Sequence, residues 1–215
     1  MTTDLEWCQC WEISIDAVGR HAMQDVSEFT QALVEVRAVK PKIILEIGSA
    51  TGGTLYAWSK VCPEVYAISL QEEAYANAEH YGAKVLYADS HSDEARAWID
   101  DKLDGRQLDV LFLDGDHSYA GVCADYKNFA PFVRDGGLIL FHDVCNPYEP
   151  GAVKMWKEIA AEGHEIFNEV TSHDERGIGV IVKKAIAKAR VGRPPKARTT
   201  PQKETTNGGS RKSVA

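Results

Sequence analysis

Two short stretches hold most of the side chains that could do chemistry, Leu113-Asp114-Gly115-Asp116-His117-Ser118-Tyr119 and Phe141-His142-Asp143. Each begins where an apolar run ends. In open α/β sheets ligands sit outside the carboxyl ends of the strands, so if both runs are strands of one sheet, their acids and imidazoles share a rim. Crowded carboxylates strain one another unless a cation or a substrate is there to bind them. Such a set can hold a divalent ion or move a proton. His117 and His142 with either Asp114 or Asp143 also match a two-histidine, one-carboxylate site for iron(II) oxygen chemistry, although such sites are usually built on other folds.

A third stretch, Lys42-Ile43-Ile44-Leu45-Glu46-Ile47-Gly48-Ser49-Ala50-Thr51-Gly52-Gly53-Thr54, breaks from a β-branched run into glycines. Residues 43–47 do not alternate, which suits a parallel strand covered on both faces. Glu46 is the exception, a carboxylate expected at the rim of the sheet, where it can accept from a ligand. The glycine spacing lacks the middle glycine of the dinucleotide fingerprint, and no Lys-Ser/Thr pair follows, so neither NAD nor a Walker-type phosphate cradle is indicated.

The elements that must position these groups alternate. Asp25 and Glu28 form a capping pair ahead of Val26, Phe29, Leu33 and Val36 at helical spacing. Helices follow the glycine turn, span residues 72–81 and 152–161, start after Ser92, and carry Val122, Tyr126, Phe129 and Val133. Strands are expected over residues 65–68, 84–87, 110–113 and, after a Gly136-Gly137 turn, 138–141. Two more, over residues 165–170 and 178–182, close as a hairpin. This predicts a doubly wound, Rossmann-like α/β sheet of seven strands, mostly parallel, with one antiparallel strand from the hairpin. Residues 1–24 form a leader in which Trp7, Trp11, Ile13 and Ile15 lack a clean period, expected to pack over residues 25–182.

Glu46, Gly48 and Gly52 resemble the first motif of class I S-adenosylmethionine (SAM) methyltransferases, E-x-G-x-x-x-G. Phe112-Leu113-Asp114-Gly115-Asp116-His117-Ser118-Tyr119, a helix, Gly137-Leu138-Ile139 and His142-Asp143 are similar to the matching segment of the small-molecule and sugar O-methyltransferase group, the methyltransferase family 24 type. The resemblance covers most of residues 25–182, and it implies that the leader over residues 1–24 lids the site, as leaders of small methyltransferases often do. It implies a SAM cofactor met by Glu46, Gly48, Ser49, Gly52, Ser69, Asp89, Ser90 and Asp114. Ser69 stands where the family usually has an acid for the ribose, and Asp89-Ser90 match its short adenine motif, Asp89 being equally readable as a helix cap. Asp114 and Asp143 match metal-binding carboxylates of metal-dependent members, and His117 matches their general base. His142 replaces a second acid. An oxygen-rich site would favour Mg²⁺, whereas His142 would admit a softer divalent ion. A hydroxylated small molecule is the implied partner.

Charge is divided unevenly. Net charge is −8, yet residues 183–215 hold ten Lys or Arg against Glu204, a balance of +9, leaving −17 for residues 1–182. The tail is too poor in apolar residues to fold, and weak nonspecific contact with nucleic acid is its expected role. Its Gly192-Arg193-Pro194 resembles an AT-hook core but follows Val191. Five cysteines give no disulfide framework and suggest a reducing, cytoplasmic setting; Cys8-x-Cys10 has no second pair for zinc. No window has the ~20 apolar residues of a membrane span. Asn146-Pro147-Tyr148 lacks one proline of the amino-methylating motif and follows the wrong strand for DNA methylation. A degenerate SAM-binding scaffold with a polyanion-binding tail is the non-enzymatic alternative.

Overall fold

A computed structural model of the chain describes residues 3–161, 165–170 and 176–184. The strand that feeds the glycine turn, β1 (Ile43–Ile47), lies inside a seven-stranded sheet. On one side of it come β2 (Glu64–Ser69) and β3 (Lys84–Tyr87). On the other come β4 (Leu108–Leu113), β5 (Val133–His142), β7 (Ile178–Val182) and β6 (Glu165–Val170), in that order. Strands β1 to β5 are parallel, and β7 runs antiparallel to both β5 and β6. The order reverses between β1 and β4, which opens a crevice at their carboxyl ends.

Helices cover both faces. Side chains of α1 (Asp4–Gly19), α2 (Val26–Ala38), α3 (Gly53–Val61) and α4 (Glu72–Tyr81) share one core with Ile44, Val110, Phe112, Leu138 and Leu140. Those of α5 (Asp93–Leu103), α6 (Tyr119–Phe129) and α7 (Pro150–Ala161) share the other with Leu45, Ile47, Leu111, Leu113, Ile139 and Phe141. Because successive strand residues face opposite ways, Glu46 in β1, His142 at the end of β5 and Asp114 just past β4 fall on the α1–α4 side. Register then aligns them: Ile47 pairs with Leu113, and Leu113 with Phe141.

Several expectations need correction. The leader is a regular helix, opened by a Thr3–Glu6 capping box. Its buried face is Cys10, Ser14 and Ala17, while Trp7, Trp11 and Ile15 are 38%, 40% and 48% exposed. Small and polar residues make that contact, with the Thr30 hydroxyl donating to Ser14 Oγ at 3.0 Å, so apolar periodicity could not reveal it. Gly136 and Gly137 lie within β5 rather than before it, at an irregularity where the β4–β5 register shifts. Helix α6 ends at Phe129, and Pro131 sits in a single 3₁₀ turn that leads into Val133. Most of the basic tail, from residue 185 on, lies outside the described residues.

Glu46 is also not at the rim. It is fully buried, between Thr54 and Trp58 of α3, with the Ser49 hydroxyl donating to Oε2 at 2.9 Å. Burial pushes its carboxyl up to about 8, helped by the nearby Asp114 and opposed by the closeness of Thr54 and by the Ser49 hydrogen bond. An unfolded glutamate ionises near its ordinary value while the folded one keeps its proton, so this group makes stability fall as pH rises between about 4.5 and 8.

Two measurements check these points. Glu46→Gln removes the titration, so its urea-unfolding free energy should gain on the wild type by about 1.4 kcal/mol per pH unit between roughly pH 5 and 8; a constant difference would contradict the buried-acid reading. Gly48 has φ +84° and a Cβ there would lie 2.1 Å from the Asp114 carbonyl oxygen. Gly48→Ala should therefore lower stability by about 2–5 kcal/mol, through backbone strain plus overpacking, read as a shift in urea midpoint.

Candidate active site

The crevice is a cleft of about 920 Å³, within the usual range for ligand sites. Its wall follows the strand ends in turn: Gly48 and Ser49 after β1, Ser69 at the end of β2, Asp89 and Ser90 after β3, Asp114 and His117 after β4, and His142 and Asp143 at β5. Of the residues singled out from the sequence, Glu46 and Gly52 do not line it. Gly52 instead starts α3 at φ +85°, a turn position that favours glycine.

The densest part is the β4–β5 edge. His142 Nδ1 lies 2.8 Å from Asp114 Oδ1 and 3.5 Å from Asp143 Oδ2. His117 bridges the same two acids, Nε2 at 3.3 Å from Asp114 Oδ1 and Nδ1 at 3.1 Å from Asp143 Oδ2. One ligand atom from each of Asp114, His117, His142 and Asp143 lies within 4.8 Å of all the others. Asp143 sits at φ +60°, a left-handed conformation that Asp tolerates, and is held there by the Asn146 side-chain amide, which donates to Oδ1 at 2.8 Å. Asp116 does not join the cluster. Its carboxylate accepts the Ser118 amide at 2.8 Å and shapes the turn into α6.

The charges in the cluster compensate one another. Burial raises the Asp114 carboxyl, but the His142 charge and the hydrogen bonds from His117 and His142 outweigh it and hold the acid below its ordinary value. The Asp114 hydrogen bond raises His117 against the pull of desolvation. Burial alone would lower His142, yet Asp114 and Glu28 drive it well above the usual imidazole range. Two imidazoles thus face two carboxylates, in the place a divalent cation's positive charge would take.

At the other end of the cleft, Ser90 donates to Asp125 Oδ1 at 2.7 Å, and His91 Nε2 lies 3.3 Å from the same oxygen. Asp89 accepts the His91 amide at 2.9 Å in the turn ahead of α5 and lines the wall; the helix cap is Ser92, not Asp89. Ser69 Oγ accepts the Gln71 amide at 3.2 Å. The cleft walls contain no lysine and, as arginine, only Arg176 among the described residues, against Asp89, Asp114, Asp116, Asp143 and Glu149.

Sequence reasoning missed three contributors. Gln24 Nε2 donates to Asp114 Oδ2 at 2.6 Å. Glu28 Oε1 lies 3.4 Å from His142 Nε2. Arg176 donates to the Met23 carbonyl and joins the cleft wall. Glu28 had a signal, but its capping role with Asp25 accounted for it fully; Gln24 and Arg176 stand in segments with no pattern.

A family profile described as a methyltransferase domain, Methyltransf_24, matches residues 45–144. Among solved structures, the fold is similar to MycE methyltransferase from the mycinamycin biosynthetic pathway in complex with Mg and SAH, at 18% identity and TM-score 0.61, covering 86% of this chain and 57% of that one. It is similar also to the O-methyltransferase from Bacillus cereus in complex with SAH, at 17% identity and TM-score 0.57, covering 85% of this chain and 93% of that one. Among curated sequences, Uncharacterized protein y4gI of Sinorhizobium fredii is 26% identical over 193 residues, 80% of this chain. The chain spans only 20% of that relative's length. Residues 45–144 thus match the Methyltransf_24 methyltransferase-domain model, and the fold is that of the class I methyltransferases.

Proposed function

We propose that this domain transfers a methyl group from SAM to a hydroxyl of a small molecule or sugar, with a divalent cation at the β4–β5 edge. The observation that carries the reading is the placing of His117 between Asp114 and Asp143, in the same cleft as the glycine turn at Gly48 and Ser49. The cleft suits this cofactor chemically. Its acid-rich wall attracts a sulfonium, and the lack of lysine fits a nucleoside that bears no phosphate. Ser69, with its hydroxyl proton directed away from the Gln71 amide it accepts, takes the ribose contact that an acid usually makes.

SAM would supply an electrophilic methyl, and Asp114, Asp143 and His142 would hold a divalent cation that would lower the pKa of a bound hydroxyl. The protein's own groups do the rest. Gly48, Ser49 and Ser90 fix the nucleoside along the strand ends, so that acceptor oxygen and methyl carbon line up for in-line displacement. His117, 29% exposed at its side chain and reachable from the cleft, takes the hydroxyl proton on a ring nitrogen. The turn over residues 20–24 helps exclude water: Ala22 and Arg20 pack onto Gly53, and the Thr51 hydroxyl donates to the His21 carbonyl at 3.2 Å. In this reading the leader acts as the lid.

The test is incubation with labelled SAM and a panel of hydroxylated sugars and phenols, with and without a chelator. Label should enter at least one hydroxyl and should drop when the chelator is added. His117→Ala should slow turnover by about 10²–10⁴-fold while calorimetry shows SAM affinity unchanged. Equal loss of SAM affinity would refute the general-base role.

A further inference from the structure

The two residues hidden from sequence reading, Gln24 just before the cap of α2 and Glu28 in its first turn, meet the donor cluster from behind. Gln24 is 5% exposed and Glu28 fully buried. Gln24 Nε2 lies 2.6 Å from Asp114 Oδ2; a carboxylate only accepts, so the amide must turn its NH₂ group there. Glu28 is itself fixed, Oε1 accepting the Asp25 amide at 3.0 Å and Oε2 the Gly177 amide at 2.9 Å. Its Oε1 faces His142 Nε2 at 3.4 Å.

Each contact occupies the far atom of a cluster residue. Asp114 Oδ2 is taken by Gln24, leaving Oδ1 to face the histidines. His142 Nε2 faces Glu28, which places the proton of a neutral ring there and turns the Nδ1 lone pair to the cluster. The donor set beside the His117 base is therefore two carboxylate oxygens, from Asp114 and Asp143, and the His142 imidazole nitrogen, with Asp114 and His142 each held by an outer-shell contact. Mg²⁺ favours near-octahedral oxygen ligands, whereas imidazole suits first-row transition ions. That contrasts with MycE, whose complex contains Mg.

We infer that the β4–β5 edge binds a first-row transition ion such as Mn²⁺ or Zn²⁺ in preference to Mg²⁺, with Glu28 and Gln24 as the positioning residues that aim His142 and Asp114 at it. This rests on the proposed reading that the cluster holds a cation.

The test uses the full chain, stripped with a chelator and dialysed, without SAM. Calorimetric titrations with MnCl₂, ZnCl₂ and MgCl₂ should rank Mn²⁺ and Zn²⁺ at least tenfold tighter than Mg²⁺. Glu28→Gln should weaken Mn²⁺ by about 10–100-fold and shift the visible bands of bound Co²⁺, with SAH affinity unchanged. His142→Asp should move the preference toward Mg²⁺. Mg²⁺ binding as tightly as Mn²⁺, or a Glu28→Gln protein with wild-type Mn²⁺ affinity and Co²⁺ spectrum, would overturn the inference while leaving the methyl-transfer reading standing. Binding of none of the ions would remove the cation from both. If Glu28→Gln fails to fold, the wild-type ion ranking and Gln24→Met, expected to weaken Mn²⁺ in the same sense, decide the matter.

Discussion

The contact on which the rest depends is backbone against backbone, where the chain leaves β1 and β4. The Asp114 amide donates to the Ile47 carbonyl at 2.9 Å and the Gly48 amide to the Ile68 carbonyl at 2.9 Å. Only a residue without a Cβ lets these ends approach so closely, because any side chain at 48 would meet the Asp114 carbonyl. That approach brings the first acid of the cluster beside the glycine turn. The parallel register then sets β5 alongside β4, and alternation of side chains delivers His142 to the same face as Asp114.

Packing behind the site has the same directional logic. Phe29, Trp58 and Phe112 stack edge to face, with centroids 5.1 and 5.5 Å apart, and Phe112 continues to His142 at 6.3 Å. The imidazole therefore rests on an aromatic wall that resists rotamer change. Polar groups nearby are less well served. Glu46 Oε1, Thr54 Oγ1 and Trp58 Nε1 are buried without a conventional partner, although Thr54 and Trp58 stand close enough to Glu46 to favour its charged form. Buried polar atoms left in this state cost stability, and such local cost is common beside functional sites.

Much of the fold was legible because its signals are local. Continuous apolar runs gave the parallel strands, and Asp25, Ser92 and Gly82 marked helix ends that the structure keeps. Where the buried surface is made of small or polar residues the code fails: α1 hides its inner face in Cys10, Ser14 and Ala17. The site divided in the same way. Residues that trail a strand, such as Asp114, His117 and Asp143, could be found by their position. Gln24, Glu28 and Arg176 reach the cleft only through tertiary packing, and Glu46 misled because a strand's last residues can face a helix as easily as solvent.

The Gly177–Glu28 hydrogen bond ties the last strand of the sheet to the second helix directly behind His142. Residues from near both ends of the described sequence thus converge on one imidazole. The segment that carries the family likeness, residues 45–144, contains the reactive groups but neither Gln24, Glu28 nor Gly177. Transplanted alone into another protein, it would carry its acids and histidines without the braces that orient them.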